Sequence, residues 1–417
     1  MVEIDGVELV EDEPKIYIRR NISERSLLVG VGLKSNDVEG KIGAAHLLEH
    51  LLFKHGDSNY STNNSTNSFV TPYSTIYTAE LYDDFEKNLK IIFGNIANPI
   101  FDKKIMEIEK KRIEHEILGE VDDPRLFGRR NFLSLIHGIT LDYRDYTKSI
   151  RKMTADDLMD IYKKYYNLDN VLIYAAIPDN LNEKSVVSTI RELFRNMERG
   201  EAYNINFEDI SKRRKRYDID SKSGLQLSYL FIGFEGPGID FKDFPDFFVT
   251  SNILNKYLKR PTSGKANVYY ISYDTETFLE INRSLFHFMI PFNKKGDLES
   301  ALLLIEESVG NLKREKIGEN ILNDVKLETS KIYENLLSDN NLEQVEDMLT
   351  LLLFDRKYDK KRFRDRIEEI DENDINKVLK EYFNKENKFV YLLQPNSKIN
   401  RFINQYSLTN SLLSFSF

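Results

Sequence analysis

Apolar and polar positions follow two different periods along the first half of the chain. Alternating or continuous apolar runs rich in Val, Ile and Leu predict strands, which lie at residues 7–10, 15–20, 26–33, 67–71, 75–82 and 170–177. Apolar residues three or four positions apart predict helices, which lie at 85–96, 105–118, 127–137 and 154–166. The strands return in meanders rather than in strict alternation with helices, so the pattern predicts an α+β fold with antiparallel-rich sheets packed with helices.

A further apolar segment with helical spacing carries two histidines and one glutamate. His46 and His50 are four residues apart, so on a helix their side chains lie one turn apart and can bind one metal ion. Glu49 directly precedes the second histidine, where a carboxylate can take a proton from a metal-bound water. This order is H-x-x-E-H, a zinc-peptidase motif. The alternative interpretation is an amphipathic helix whose leucines face the core and whose histidines are incidental.

The wider segment 43–54, Gly-Ala-Ala-His-Leu-Leu-Glu-His-Leu-Leu-Phe-Lys, resembles the zinc-binding helix of the pitrilysin or insulinase-like (M16-type) metallopeptidases, the inverzincins. It is most similar to their short bacterial and mitochondrial-processing-peptidase-type members. In that family a later helix supplies a third ligand, a glutamate, and an acidic residue seven positions earlier supports the site. The resemblance implies zinc as the cofactor and this set of site residues: the ligands His46, His50 and Glu116, the supporting Glu109 and the general base Glu49. For the helix around residues 109–117, a solvated charged helix is the other interpretation.

Two further site residues are implied by the resemblance alone. Family members bind an extended peptide along an open strand edge beside the metal, and at the corresponding position Asn67 is expected to hold the substrate backbone; a turn asparagine is the alternative. The family also uses an arginine and a tyrosine from a second-half segment, which corresponds here to residues 260–270. The arginine position falls on Thr262, so of this pair only the tyrosine, Tyr269, is expected to bind substrate.

The segment that closes the first half recurs near the end of the chain. Residues 150–174 and 367–391 match in apolar pattern and spacing, which indicates a duplicated domain. The predicted division is an N-terminal zinc-bearing domain at 1–205, a linker at 206–224 and a homologous C-terminal domain at 225–417. The second half contains a single histidine and no second H-x-x-E-H, so its domain cannot build the same zinc site and is expected to be structural or substrate-binding.

Composition narrows the class of protein. The chain has 417 residues, a formal net charge of -9 and no cysteine. The lack of a basic surplus argues against a nucleic-acid binder, and the lack of cysteine excludes disulfides and thiol chemistry. The N-terminus lacks the pattern of a signal peptide and no run is long enough to cross a bilayer. We therefore expect a cytoplasmic protein without a membrane partner.

The resemblance implies a zinc-dependent endopeptidase that cleaves flexible peptides or leader segments inside a closed chamber of two subunits. Short bacterial members include peptidases that process ribosomally made, modified peptides of the bacteriocin type, which is one expected substrate class. The altered arginine–tyrosine element favours a dimer with a different homologous subunit that supplies it, and a homodimer is the alternative. A noncatalytic chamber half and a chaperone-like peptide-binding module are the other functions that the resemblance leaves open.

Overall fold

The computed structural model describes part of the chain. The described residues are 4, 6–21, 26–35, 41–53, 64–139, 142–258, 271–293, 297–300, 302–303, 305, 310, 312, 317–335 and 341–396. They form two compact units, each assembled from separate segments of the chain. Unit 1 consists of residues 1–119, 141–206 and 334–358, and unit 2 consists of residues 120–140, 207–333 and 359–417.

The described residues contain the following secondary structure. The strands are β1 (Glu8–Asp12), β2 (Lys15–Asn21), β3 (Leu27–Lys34), β4 (Ser65–Val70), β5 (Ser74–Leu81), β6 (Val171–Pro178), β7 (Tyr217–Lys222), β8 (Ser228–Gly236), β9 (Ser272–Phe278), β10 (Arg283–Phe292) and β11 (Lys388–Pro395). The helices are α1 (Ala44–Leu52), α2 (Phe85–Ala97), α3 (Lys103–Asp122), α4 (Pro124–His137), α5 (Tyr143–Lys152), α6 (Ala155–Tyr165), α7 (Glu183–Phe194), α8 (Phe207–Arg213), α9 (Phe244–Leu258), α10 (Glu319–Asn335), α11 (Leu342–Leu353), α12 (Lys360–Glu369) and α13 (Glu372–Glu381).

Unit 1 is built on a six-stranded sheet in the order β1-β2-β6-β3-β5-β4. Helix α11, from the second half of the sequence, packs against the central strands β3, β5 and β6. Two glycines of β3 make this approach possible, because a Cβ atom at Gly30 would lie 2.3 Å from Leu349 and one at Gly32 would lie 2.9 Å from Leu353. The sheet therefore buries one face under a helix that is distant in sequence.

Unit 2 is built on a five-stranded sheet in the order β7-β11-β8-β10-β9. Helix α4, from the first half of the sequence, packs against β8 and β11. Phe132 of α4 joins a buried cluster with Phe231, Leu285 and Phe389 of the sheet. Each unit thus completes its core with a helix whose sequence neighbours belong largely to the other unit.

Apart from the additional edge strand β1 of the first sheet, the two sheets share one topology, which confirms the duplication predicted from the sequence. In each, a first strand pairs in parallel with the last strand, β2 with β6 and β7 with β11. The last strand then pairs antiparallel with the second strand of the repeat, β3 or β8. The repeated segments also match locally, because Thr154 and Asp371 both cap their helices in capping boxes.

The predicted α+β class with two sheets packed with helices is confirmed, and the predicted strands and helices of the first half form with shifts of a few residues at their ends. The stretch 206–224, predicted to be a linker, contains α8 and β7, and β7 pairs with β11. Within the described residues, none of the helices combines the length and the apolar character needed to span a bilayer.

Candidate metal centre

Helix α1 presents the H-x-x-E-H residues because its leucines bury the opposite side. Leu47, Leu48, Leu51 and Leu52 are all buried, which fixes the rotation of the helix about its axis. The helix is preceded by Gly43, whose φ of 84° is left-handed and favours glycine. His46 and His50 are partly exposed on the remaining side, and Glu49 between them is 4% exposed.

Helix α3 presents the second set of predicted site residues. It begins after Asp102, whose carboxylate accepts hydrogen bonds from the backbone N–H groups of Lys104 and Ile105. Glu109 and Glu116 are seven residues apart, two helical turns, so they lie on nearly the same side. Glu109 is 7% exposed, whereas the side chain of Glu116 is 52% exposed.

Three side chains from these two helices converge on one point. The Nε2 atoms of His46 and His50 lie 3.2 Å apart, and Oε2 of Glu116 lies 3.5 Å from each of them. Two ligand atoms bound to a tetrahedral zinc ion at about 2.0–2.1 Å lie about 3.3 Å apart. The separations between these three atoms fit that value, and two imidazoles with one carboxylate are a common catalytic zinc donor set. The residues present therefore fit zinc.

Glu49 lies beside this group without matching its spacing. Its Oε2 is 4.0 Å from Nε2 of His46 and 3.7 Å from Nε2 of His50, farther than the separations made by Glu116. Its other oxygen accepts a hydrogen bond from the Ser68 hydroxyl of β4. Glu49 brings an oxygen near both imidazoles, but the distances favour Glu116 as the ligand and leave Glu49 in position to exchange protons.

Each histidine has a partner for the ring nitrogen that points away from the convergence point. Nδ1 of His50 lies 3.1 Å from Oε2 of Glu109, whose other oxygen accepts a hydrogen bond from Arg112. Nδ1 of His46 lies 3.0 Å from the hydroxyl of Tyr146 on α5. Such partners fix the tautomer and orientation of an imidazole ligand, so both histidines are set to offer Nε2 to a metal.

The structure places Asn67 away from this centre. Its amide donates a 2.7 Å hydrogen bond to Glu346 of α11, and burial raises the pKa of that carboxyl group. Neighbouring residues of a strand face opposite sides of a sheet, so Ser68 faces α1 while Asn67 faces α11. β4 is nevertheless the edge strand of its sheet. Tyr269 and Thr262 lie outside the described residues.

A second group of possible ligands occurs in unit 2, where Asp274, Glu276 and His287 lie close together. Nε2 of His287 is 2.8 Å from Oε1 of Glu276, and the same oxygen is ion-paired with Arg129. The guanidinium already neutralises the central carboxylate, so this group is a charge-paired cluster rather than a competing metal centre.

Two polar side chains at the centre are missing from the sequence prediction: Ser68 and Tyr146. Ser68 lies next to Asn67 and is recognisable only once the facing of β4 is known. Tyr146 is four residues before Ile150, and both are buried. That i, i+4 pair was the available signal for α5, in a segment otherwise dominated by charged and polar residues.

Two family models and several curated proteins are similar to this chain in sequence. Residues 18–127 match the family model for Insulinase (Peptidase family M16), and residues 152–328 match the model for the Peptidase M16 inactive domain. An uncharacterized zinc protease of Bacillus subtilis is 30% identical over 158 residues, which are 36% of this chain and 36% of that protein. One of Rickettsia felis is 24% identical over 230 residues, 51% of this chain and 53% of that protein. The chain thus spans between about a third and about half of the length of these relatives.

Solved structures show the same fold over nearly the whole chain. A protease from Helicobacter pylori has a TM-score of 0.73 at 17% identity, covering 93% of this chain and 99% of that chain. A peptidase M16 inactive domain from Pseudomonas fluorescens has a TM-score of 0.70 at 13% identity, covering 95% and 98%. At these identities the likeness concerns the fold alone.

Proposed function

Because this chain belongs to the M16 family of insulinase-like peptidases, we propose that it is a zinc-dependent endopeptidase that cleaves flexible peptides. The observation that carries the proposal is the convergence of His46, His50 and Glu116 to within 3.2–3.5 Å of one another. The presence of Glu49 beside them supplies the acid–base group that peptide hydrolysis needs.

The metal would be held by Nε2 of His46, Nε2 of His50 and a carboxylate oxygen of Glu116. When bound, zinc supplies Lewis-acid polarisation of the scissile carbonyl and lowers the pKa of water. Glu109 accepts the Nδ1 hydrogen of His50 and keeps that imidazole in the tautomer that binds through Nε2.

Glu49 takes the proton of the attacking water and passes it to the leaving amine. The Ser68 hydroxyl donates to one of its oxygens, which leaves the other oxygen, 3.7 Å from His50, directed at the centre. Burial limits the rotamers of the Glu49 carboxylate. The side chain is therefore already oriented before the substrate binds.

An extended peptide would bind by strand addition along β4, the edge strand that also carries Ser68. Strand addition requires an unfolded substrate segment, which supports flexible peptides or leader segments as substrates. Ribosomally made, modified peptides of the bacteriocin type are one such class. As a residue of β4, Asn67 would then lie beside the substrate backbone and help to hold it.

We place the reaction in a chamber closed by two subunits, with the partner supplying the arginine–tyrosine element. A different homologous subunit is favoured because Thr262 stands at the arginine position. A homodimer in which Tyr269 alone serves this role is the alternative. Analytical ultracentrifugation of the purified chain, alone and after copurification from its native cell, separates the two assemblies.

A noncatalytic or peptide-binding subunit of a heterodimeric peptidase is the second candidate function. The observation behind it is the match of residues 152–328, a stretch that contains none of the metal-centre residues, to the model of an M16 inactive domain. In such a subunit the chain would bind peptides along β4 without cleaving them.

The test compares Glu49→Gln with the wild type, and Glu192→Gln, an exposed residue of α7, as the matched control. Zinc content is measured by atomic emission and cleavage by mass spectrometry of unstructured peptides. Glu49→Gln should keep the zinc and lose about 10²–10⁴-fold in turnover, the usual contribution of a general base. A zinc-loaded wild type that binds peptides but leaves them intact, alone and with its native partner, would support the noncatalytic function instead.

A further inference from the structure

Helix α5 contacts both helices that carry the metal-binding residues. It lies in unit 1 with α1 and with α3 up to Gly119. Asp142 caps its N-terminus by accepting a hydrogen bond from the backbone N–H of Arg144. Its two buried residues, Tyr146 and Ile150, lie one turn apart. A helix in this position can set the distance between the two ligand-bearing helices.

Its contact with α1 is at the first ligand. The Tyr146 hydroxyl lies 3.0 Å from Nδ1 of His46, and the tyrosine is 6% exposed. A Cβ atom at Gly43 would lie 2.8–2.9 Å from the Tyr146 ring and 2.8 Å from Ile150. The bare backbone at the start of α1 therefore lets α5 come close enough for this hydrogen bond.

Its contact with α3 is one turn farther along. Arg151 donates two hydrogen bonds, of 2.7 and 2.9 Å, to the carboxylate of Glu114. The ammonium of Lys110, which is 5% exposed, donates to the backbone carbonyls of Arg151 and Met153 at 3.4 and 2.8 Å. These bonds satisfy carbonyls at the end of α5 that the helix leaves unpaired, and they fix α5 on the helix that carries Glu116.

We propose that Tyr146 is a positioning residue for the zinc ligand His46. The inference rests on the proposed function, since it assumes that Nε2 of His46 binds zinc. In that tautomer Nδ1 carries the hydrogen and donates it to the phenol oxygen, just as His50 donates to Glu109. The two imidazoles are then held from behind by different acceptors, a phenol for His46 and a carboxylate for His50. A neutral acceptor adds no charge to the centre, so its contribution is orientation and tautomer rather than electrostatic attraction.

The test replaces Tyr146 by Phe, which removes the acceptor oxygen and keeps the ring that packs against Gly43. Tyr143→Phe, on the same helix with its hydroxyl next to the Arg144 guanidinium, is the matched control. The zinc dissociation constant of the full chain is measured by competition with a chromophoric chelator. The visible absorption of the cobalt-substituted protein and the thermal unfolding of the metal-free protein are recorded in parallel. Loss of such a partner weakens metal binding about 10–100-fold.

Tyr146→Phe should weaken zinc binding about 10–100-fold and shift the absorption spectrum of the cobalt-substituted protein. The metal-free forms of Tyr146→Phe and Tyr143→Phe should be equally stable. Equal zinc affinity and identical cobalt spectra in the two variants would overturn the inference while leaving the proposed function intact. A wild type that binds no zinc would overturn both.

A measurement on the wild type covers the case in which the Phe variant does not fold. Nitrogen-15 NMR of the zinc-loaded protein should show an Nδ1 hydrogen on His46 that exchanges slowly with water. An Nδ1 of His46 without a hydrogen, or one that exchanges as fast as in an exposed histidine, contradicts the proposal.

Discussion

The glycine that precedes the metal-binding helix should contribute to the stability of unit 1, and Gly43→Ala tests this. Gly43 has a φ of 84°, a region that residues with a Cβ atom rarely adopt. Its hydrogen faces Tyr146 and Ile150 at distances that leave no space for a methyl group. The substitution thus perturbs the backbone and the packing of α5 at the same point.

The expected loss of stability follows from these two effects. Left-handed backbone in a residue with Cβ costs about 1–2 kcal/mol. A methyl group 2.8–2.9 Å from three carbon atoms is well inside the normal contact distance, and such overpacking costs about 1–3 kcal/mol. Alanine restricts the unfolded chain and returns about 0.4–1 kcal/mol. The net expectation is a destabilisation of about 1–5 kcal/mol.

The assay is urea unfolding of the full chain followed by tyrosine fluorescence, together with the zinc dissociation constant. Gly119→Ala is the matched control, because Gly119 is exposed near the end of α3 and a Cβ there meets nothing within 4 Å. An alanine in such a helical position stabilises by roughly 0.5–1 kcal/mol. The two glycine-to-alanine changes should therefore act in opposite directions, and only Gly43→Ala should weaken zinc binding.

Equal unfolding midpoints for wild type and Gly43→Ala would refute the reasoning. A loss of the same size in Gly119→Ala would also do so, since it would mean that any added methyl group in this unit is harmful. A destabilised Gly43→Ala with unchanged zinc affinity would show that α5 contributes to folding but not to the position of His46.

Of two further predictions, one concerns the metal centre in unit 1 and the other concerns a buried histidine in unit 2. Glu116→Gln should lower zinc affinity and abolish peptide cleavage, because an amide is a much weaker zinc ligand than a carboxylate. Glu49→Gln should abolish cleavage without lowering zinc affinity. The zinc content and peptide turnover of both variants check this. In unit 2, burial, reinforced by the charge of Arg214, lowers the pKa of His137 to about 4 from its usual value near 6.5. The His137 side chain is neutral in the folded protein. Its contribution to the free energy of unfolding is therefore complete above about pH 6.5 and falls as the pH drops toward 4, by roughly 2–3 kcal/mol at pH 4.5. His137→Phe should show a smaller difference in unfolding midpoint between pH 7 and pH 4.5, and an unchanged difference would contradict this assignment.

Local sequence was sufficient for the metal-binding helix and for most of the secondary structure. The spacing of His46, Glu49 and His50 on a leucine-rich helix fixes which side they share, because helical geometry and burial of the leucines leave one orientation. The repeat of residues 150–174 at 367–391 likewise predicted two related units, and the matched topology of the two sheets confirms it. These features depend on contacts within one or two turns, or on a pattern that occurs twice.

Only the tertiary structure decided which distant elements share a core. Helix α11 packs on the first sheet and α4 on the second, and neither amphipathic pattern says which sheet it will cover, since any apolar face of suitable size can be buried. The same holds for the surroundings of the metal centre. The hydroxyls of Ser68 and Tyr146 reach Glu49 and His46 across 19 and 100 residues of sequence. Chain folding creates that proximity, and helical or strand periodicity contains no information about it.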